Sequence, residues 1–203
     1  MCFLKKLPII ISLLFISITI FSCKKEVKKN PAQFSIESKT ITANWIGYKT
    51  TDKIAVKGVF KEIKILNINS DTTAVGALNG TQFEIPVSSL FSNNAERDTK
   101  LKELFFGIMD ATLSLTGTLN LNKDGSGSID LKMNGVQHKI AVSHVTSGQL
   151  VELEGKMNLD DWNAKLALAS LSKACFEQHK GADGVSKTWN EVGISAAIYL
   201  KKK

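Results

Sequence analysis

The stretch 111-ATLSLTGTLNL-121 decides the fold class, because apolar or small residues alternate with polar ones along it without interruption. Side chains of a β-strand point alternately to opposite faces, so the stretch predicts a strand with one buried face and one solvated face. The buried face would carry Leu113, Leu115, Gly117 and Leu119.

The same alternation recurs on both sides of this stretch. It is found in segments beginning at Ile54, Phe83, Ile129, Val136, Val151 and Val192. Together with the extended segments 34–36, 41–48 and 63–68, these give about eight to ten strands. Asn134-Gly135 fits a two-residue hairpin turn, whose central residues need positive φ. Consecutive strands are therefore expected to pair antiparallel, as a meander.

Helical spacing of apolar residues is found in two places. Residues 101–108 follow Asn93-Asn94, and residues 164–175 follow the capping pair Asp160-Asp161. The number of strands fits either two stacked sheets or a closed barrel. An 11-residue strand would span roughly 36 Å at about 3.3 Å per residue, which favours a tall barrel. We expect an all-β fold, an antiparallel up-and-down barrel of about eight strands with two short helices.

The N-terminus has the pattern of a bacterial lipoprotein signal. Lys5 and Lys6 precede the apolar run from Leu7 to Phe21, and Ser22 lies directly before Cys23. Residues 1–22 are thus predicted to be a cleaved signal peptide, and residues 23–33 an acylated cysteine with a basic tether. Residues 34–203 are long enough for a single domain. An uncleaved anchor is the alternative.

We accordingly expect an exported protein, anchored in a membrane through acylated Cys23. Surface-displayed lipoproteins of some bacteria carry acidic residues after the cysteine, whereas this chain continues with Lys24-Lys25-Glu26. This difference favours a protein that faces the periplasm. Since Cys2 leaves with the signal and Cys23 is acylated, Cys175 has no partner and no disulfide is expected.

The formal net charge of +7 is concentrated at the two ends of the chain. Six lysines precede residue 31 and three end the chain, so residues 31–200 carry 17 cations and 18 acids, a net charge of −1. No basic stripe suits a phosphate backbone, and nucleic acid is not an expected partner.

Motifs of catalysis and metal binding are missing from the sequence. It contains no Gly-x-Ser-x-Gly, Cys-x-x-Cys or His-Glu-x-x-His, and its three histidines have no local partners at ligand spacing. We expect neither an enzyme nor a metal site, and no cofactor beyond a possible bound lipid.

Small residues interrupt the apolar face near the middle of four strands. Gly58, Gly117, Gly155 and Ala196 would either leave room inside the barrel or, for the glycines, let strands bend or bulge. In the first case they would line a ligand-filled lumen together with Val56, Phe60, Leu113, Leu115, Leu119, Leu131, Ile140, Leu153, Met157 and Ile194.

Two polar residues are candidates for contact with a ligand's head group. His138 shares an apolar strand face with Ile140, although such a histidine is more often a satisfied core or rim residue. Arg97 is the sole arginine of the chain and precedes the first helix. Its forked guanidinium would either grip a pyrophosphate or quinone oxygen at the barrel mouth, or bind Asp98 and nearby carbonyl groups.

Several short motifs, in this order, resemble the YceI-like family over roughly residues 34–200. They are Trp45-Ile46-Gly47-Tyr48-Lys49-Thr50, Lys57-Gly58-Val59-Phe60, Arg97-Asp98 with Leu101 and Phe105-Phe106, Asp161-Trp162 and Lys187-Thr188-Trp189. The resemblance implies a lipocalin-like barrel in an exported bacterial protein, and in some members a polyisoprenoid chain held inside it.

The expected function is therefore to hold a long apolar chain, such as a polyisoprenoid, an isoprenoid quinone or a polyprenyl phosphate. The alternative is a ligand-free envelope lipoprotein that acts through a protein partner in envelope maintenance or stress response. A membrane-spanning pore would alternate in the same way but turn its apolar face outward. A homodimer is compatible with the sequence.

Overall fold

A computed structural model describes residues 34–202, so the signal segment, Cys23 and the tether lie outside the described residues. The long strands of this range are β2 (Ile41–Lys49), β3 (Ile54–Phe60), β6 (Thr81–Pro86), β8 (Ser114–Leu121), β9 (Ser126–Met133), β10 (Val136–Ser147), β11 (Leu150–Asn158) and β12 (Glu191–Tyr199). Two-residue strands are β1 (Phe34–Ser35), β4 (Lys64–Ile65), β5 (Ser70–Asp71), β7 (Leu90–Phe91) and β13 (Lys201–Lys202).

An antiparallel sheet of ten strands curls into the barrel wall, in the order β4-β6-β8-β9-β10-β11-β12-β2-β3-β7. From β8 to β12, neighbours in sequence are also neighbours in space, as a meander requires. The last long strand then pairs with the first, with Ile198 opposite Ile41. The expected fold class is confirmed. Beyond the eight long strands, the two-residue strands β4 and β7 extend the sheet along the seam between β3 and β6.

Local turn chemistry fixes the register of the β9–β10 hairpin. Asn134 and Gly135 have φ values of 52° and 69°, the left-handed conformation that a two-residue hairpin requires. Val136 therefore lies directly opposite Met133. The predicted hairpin is confirmed.

Strand β8 begins at Ser114, three residues later than the alternation predicts. Ala111 has a φ of 45°, which places it in a turn and not in a strand. Within that turn the Thr112 hydroxyl donates to the Asp110 carbonyl at 2.8 Å and accepts from the Asn134 amide at 2.9 Å. Leu113 therefore lies on the surface with 87% of its area exposed, and its assignment to the lumen is wrong.

Both predicted helices are present, with shifted boundaries. The first is α2 (Ala95–Lys100), which continues as a π-helical turn (Leu101–Phe105) and a 3-10 turn (Phe106–Ile108). The Asn94 side chain caps it by accepting from the Arg97 amide at 2.9 Å. The second is α3 (Lys165–Ala174), and Asp160-Asp161 lie not at its cap but inside the preceding 3-10 turn (Leu159–Trp162).

Helix α1 (Ala74–Leu78) has five residues and is too short for sequence periodicity to show it. It packs against β1 and β8 and closes one end of the barrel, which we call the floor. Leu78, Val151 and Leu200 are almost completely buried. Helices α2 and α3 lie at the other end. No helix within residues 34–202 is both long and apolar enough to cross a membrane.

Candidate functional site

The barrel encloses an apolar cavity of about 470 Å³, within the range of about 300–1,000 Å³ typical of ligand pockets. Its wall includes ten of the residues that the sequence assigned to a lumen. On β3, β8 and β9 these are Val56, Phe60, Leu115, Leu119 and Leu131. On β10, β11 and β12 they are Ile140, Leu153, Met157, Ile194 and Ala196.

The three glycines assigned to the lumen do not line this cavity, because neighbouring atoms already occupy the space beside each of them. The Trp45 ring covers Gly58, its partner across strands β2 and β3. A Cβ atom added to Gly117 would lie 2.7 Å from the Phe83 ring and from the Asp130 carbonyl oxygen. The proposal that these glycines leave an open lumen at mid-height is therefore wrong.

The small residues that do widen the cavity lie on β2 and β12. Ala43 and Ala196 are direct cross-strand partners, and both line the wall. Gly47 also lines it, and no atom of the described residues lies within 4 Å of a Cβ added there. Sequence reasoning found Ala196 but missed Ala43 and Gly47, since the pairing of β2 with β12 joins opposite ends of the chain.

Both ends of the barrel add apolar side chains to the cavity. At the floor these include Ile36, which follows β1, and Leu78 of α1. At the other end, Leu101 after α2 and both Leu168 and Leu171 of α3 lie over the interior. The helices thus cover this end of the barrel with apolar side chains.

A group of polar side chains lines one end of the cavity, which we call the mouth. It lies where β2 ends, beside α2 and the 3-10 turn Glu177–His179. The cavity-lining residues of the mouth are Lys49, Asn94, Glu96, Arg97, Lys100, Gln178, His179, Thr188 and Trp189. An apolar cavity with polar groups at one end can bury a tail and orient a head group.

Gln178 holds two of the mouth's cations. Its backbone carbonyl accepts from the Lys49 ammonium at 3.1 Å, and its side-chain oxygen lies 3.4 Å from the Lys100 ammonium. Lys100 also binds the Glu96 carboxylate at 2.7 Å, and this hydrogen bond lowers the pKa of Glu96 and raises that of Lys100. The two lysines are therefore held at the edge of the cavity.

Arg97 lines the mouth, as the head-group hypothesis requires, and it does not bind the Asp98 side chain. Its Nη1 atom makes one long contact of 3.5 Å with the Ser92 carbonyl oxygen. The buried Asp98 carboxylate instead accepts from the Ser92 amide at 2.8 Å and from its hydroxyl at 2.6 Å. Most donors of the Arg97 guanidinium therefore have no partner among residues 34–202.

Burial and positive charge act together on His179. Its Nδ1 atom lies 2.6 Å from the Thr188 hydroxyl. Burial lowers the pKa of His179, and the positive charges of Lys49, Lys100 and Arg97 lower it further. Burial also raises the pKa of the Cys175 thiol, which lines the cavity nearby. The mouth is therefore a region of positive potential.

His138 lies outside the cavity, and its assignment to head-group contact is wrong. Its ring packs edge-on against the buried Trp162 ring, with centroids 5.3 Å apart. Nδ1 faces the Asp161 carboxylate at 3.9 Å, and 48% of the side chain is exposed. The His138 side chain therefore does not line the cavity, although the alternation along β10 predicts an inward position.

Within residues 34–202, no group of three His, Cys, Asp or Glu side chains is placed to hold a metal ion. An antiparallel barrel that surrounds an apolar cavity and carries a polar mouth defines the class of lipocalin-like barrels.

Comparison with protein families makes this assignment specific. Residues 34–199 match the profile of the YceI-like domain. The chain therefore belongs to the YceI-like family. Comparison with curated proteins gives no match.

Solved structures show the same fold at low sequence identity. A polyisoprenoid binding domain from Saccharophagus degradans, implicated in plant cell wall breakdown, is 12% identical with a TM-score of 0.58, over 85% of this chain and 99% of that one. Burkholderia cenocepacia BcnA is 10% identical with a TM-score of 0.50, over 80% of this chain and 98% of its own. Since the identities are so low, these likenesses concern the fold.

Proposed function

We propose that this protein is a non-enzymatic lipid-binding protein that holds a long apolar chain inside its barrel. A polyisoprenoid, an isoprenoid quinone or a polyprenyl phosphate would suit the cavity, with the tail inside and the head group at the mouth. The observation that carries the proposal is the apolar cavity of about 470 Å³ between a closed floor and a polar mouth.

Burial of the chain would supply the binding free energy. Removal of apolar surface from water contributes about 25 cal/mol per Å², or about 0.8 kcal/mol for each buried CH₂ group. A five-carbon isoprene unit therefore contributes several kcal/mol before the loss of chain freedom is subtracted. The mainly apolar wall, which includes aromatic side chains, offers such a chain few polar partners, so selectivity within the cavity would rest on length and shape.

The family supports this proposal. The domain from Saccharophagus degradans that shares the fold is described as a polyisoprenoid binding domain. The present chain has the same architecture, and its own cavity is lined mainly by apolar residues.

We further propose that the protein is anchored through Cys23 and faces the periplasm, on the strength of the signal pattern. Phe34 pairs with Lys202 and Asp71 at the floor end, opposite the mouth. From Cys23 to Phe34 the chain advances 34 − 23 = 11 residues, a reach of at most about 40 Å. The nine-residue strand β2 spans about 30 Å. The tether is therefore long enough for the mouth to lie at the bilayer surface that holds the anchor.

The lipid proposal is tested by organic extraction of the purified full chain, followed by mass spectrometry. Wild type should release a lipid in near-stoichiometric amount. The double variant Ala43→Leu with Ala196→Leu fills the cavity wall at one level and should retain little lipid, with a melting temperature at or above that of the lipid-free wild type.

The control is Ala197→Leu, one position along β12, on the strand face opposite to Ala196. This control should retain lipid as wild type does. Extraction that yields no lipid from wild type would contradict the proposal and favour an envelope lipoprotein that works through a protein partner.

The anchor is tested separately with Cys23→Ala. Wild type should partition into the detergent phase of a Triton X-114 extraction and carry the mass of an acylated cysteine, whereas the variant should lack that mass. A variant that is never acylated but still partitions like wild type would instead support an uncleaved N-terminal anchor.

A further inference from the structure

Positive charge is concentrated at the mouth, although the domain as a whole is nearly neutral. Residues 31–200 carry 17 cations and 18 acids. Among the described residues that line the cavity, the cations are Lys49, Arg97 and Lys100, whereas Glu96 is the one acid. With His179 neutral, the lining therefore has a net charge of 3 − 1 = +2.

These cations keep donors that the described residues do not use. The Lys49 ammonium has three donors, and its hydrogen bond among the described residues goes to the Gln178 carbonyl. The Arg97 guanidinium has five donors, and its one contact there is the 3.5 Å approach to Ser92. Both groups border a cavity whose other walls are apolar, so a ligand entering it brings its acceptors to them.

The third cation, Lys100, is paired with Glu96, and the oxyanion of a ligand can replace this carboxylate. Its carboxylate lies 2.7 Å from the Lys100 ammonium, yet 71% of the Glu96 side chain is exposed, against 21% for Lys100. An exposed carboxylate on the first turn of α2 can swing into solvent, whereas the less exposed Lys100 ammonium also contacts Gln178 at the edge of the cavity. The pair thus already shows an oxyanion bound at the mouth, supplied here by the protein itself.

We propose that Lys49, Arg97 and Lys100 bind an oxyanionic head group, a phosphate monoester above all, and that this head group displaces Glu96 from Lys100. This inference rests on the proposed lipid-binding function and narrows the class of ligand to charged lipids. Once Glu96 is displaced, the three cations face the ligand with a charge of +3, which a phosphate dianion compensates better than a monoanion does, and its three terminal oxygens can accept from donors on β2 and α2. An uncharged quinone or alcohol would leave this charge without compensation.

The experiment measures the affinity of the delipidated full chain for three lipids of matched chain length, a polyprenyl phosphate, a fatty acid and a polyprenol. The phosphate should bind tightest and the uncharged alcohol weakest. Its affinity should fall as salt rises from 0.05 to 0.5 M, since exposed charges are screened, while that of the alcohol should stay constant.

Charge variants assign the effect to residues. Lys49→Met and Arg97→Gln should each weaken phosphate binding by about tenfold, as expected for loss of a hydrogen bond to a charged group, and should leave polyprenol binding within about twofold. Glu96→Gln frees Lys100 and should tighten phosphate binding by several-fold. Lys57→Met, on an exposed position of β3 away from the cavity lining, is the control and should change neither affinity.

The outcomes separate this inference from the proposed function. Equal affinities for phosphate and alcohol, with no effect of Lys49→Met or Arg97→Gln, would overturn the oxyanion site while the lipid-binding function stands. Failure of all three lipids to bind would overturn both. A fatty acid that binds tighter than the phosphate would show that the mouth selects a carboxylate, which contradicts the preference stated above.

Discussion

Replacement of Gly155 by alanine tests how the barrel interior is packed. Gly155 lies on β11 opposite Val142 of β10. A Cβ atom added there would lie 2.7 Å from the Ala141 carbonyl oxygen and 2.9 Å from Val142 Cγ1. Carbon–oxygen contacts between neighbouring strands normally measure about 3.3–3.6 Å, so strand β10 must move by roughly 0.6 Å.

The expected loss of stability follows from this overlap. Overpacking of a well-packed interior lowers the free energy of unfolding by about 1–3 kcal/mol. Alanine also gives the unfolded chain less conformational entropy than glycine does, which offsets about 0.4–1 kcal/mol of this loss. A net loss of roughly 1–2 kcal/mol corresponds to a melting temperature lower by about 2–8 °C in a domain of this size.

Gly47→Ala is the matched control, because Gly47 is also a glycine within a strand. No atom of the described residues lies within 4 Å of a Cβ added at Gly47. The unfolded-state effect then acts alone and raises stability by about 0.4–1 kcal/mol, or about 1–4 °C in melting temperature.

Thermal unfolding of both variants, followed by circular dichroism on delipidated protein, gives the comparison. The two substitutions should change the melting temperature in opposite directions. If Gly155→Ala melts at or above the temperature of wild type, the space beside Gly155 is open, and mid-strand glycines do enlarge the cavity as the sequence pattern suggested.

Two further predictions concern Trp162 and His179. Trp162→Phe removes the hydrogen bond from the buried Trp162 Nε1 to the Leu131 carbonyl oxygen at 3.0 Å. The Nε1 atom of Trp45 has no partner among the described residues, so Trp162→Phe should lower the free energy of unfolding by about 1–3 kcal/mol more than Trp45→Phe does. Equal losses in urea titrations would contradict this. Burial and the charges of Lys49, Lys100 and Arg97 lower the pKa of His179 in the folded state. As the pH falls below about 6.5, His179 therefore binds a proton in the unfolded chain before it does so in the folded protein. The stability that is present above this pH is lost as the pH falls further. His179→Asn should therefore lose less stability than wild type between pH 7 and 5 in the same titrations, and identical pH profiles would show that His179 does not contribute.

The strand pattern could be obtained from the sequence because it depends on local periodicity. Alternation along 115–121 places Leu115 and Leu119 toward the interior, and the structure shows both at the cavity wall. The same alternation fails at Leu113 because the positive φ of Ala111 marks a turn, and a pattern of polarity does not contain the backbone angle. The hairpin turn at Asn134-Gly135 was predicted correctly, because those residue types themselves favour the positive φ that the turn requires.

The space inside the barrel could not be obtained in this way. Whether a glycine opens a cavity depends on the atoms across from it, and those belong to other strands. Trp45 fills the space beside Gly58, and Val142 with the Ala141 carbonyl fills that beside Gly155. The sequence indicates that side-chain volume is missing at these positions, but it does not show whether a neighbour takes it up.

The sequence by itself determined the antiparallel barrel, the approximate positions of the helices and the neutral charge of the domain, because periodicity, turn residues and composition are local properties. The tertiary structure alone decided where the cavity opens and which cations surround the opening. Lys49, Arg97 and His179 are separated by 48 and 82 residues along the chain. They meet because β2, α2 and the turn after α3 all reach the same end of the curled sheet, in which the early strand β2 pairs with the late strand β12.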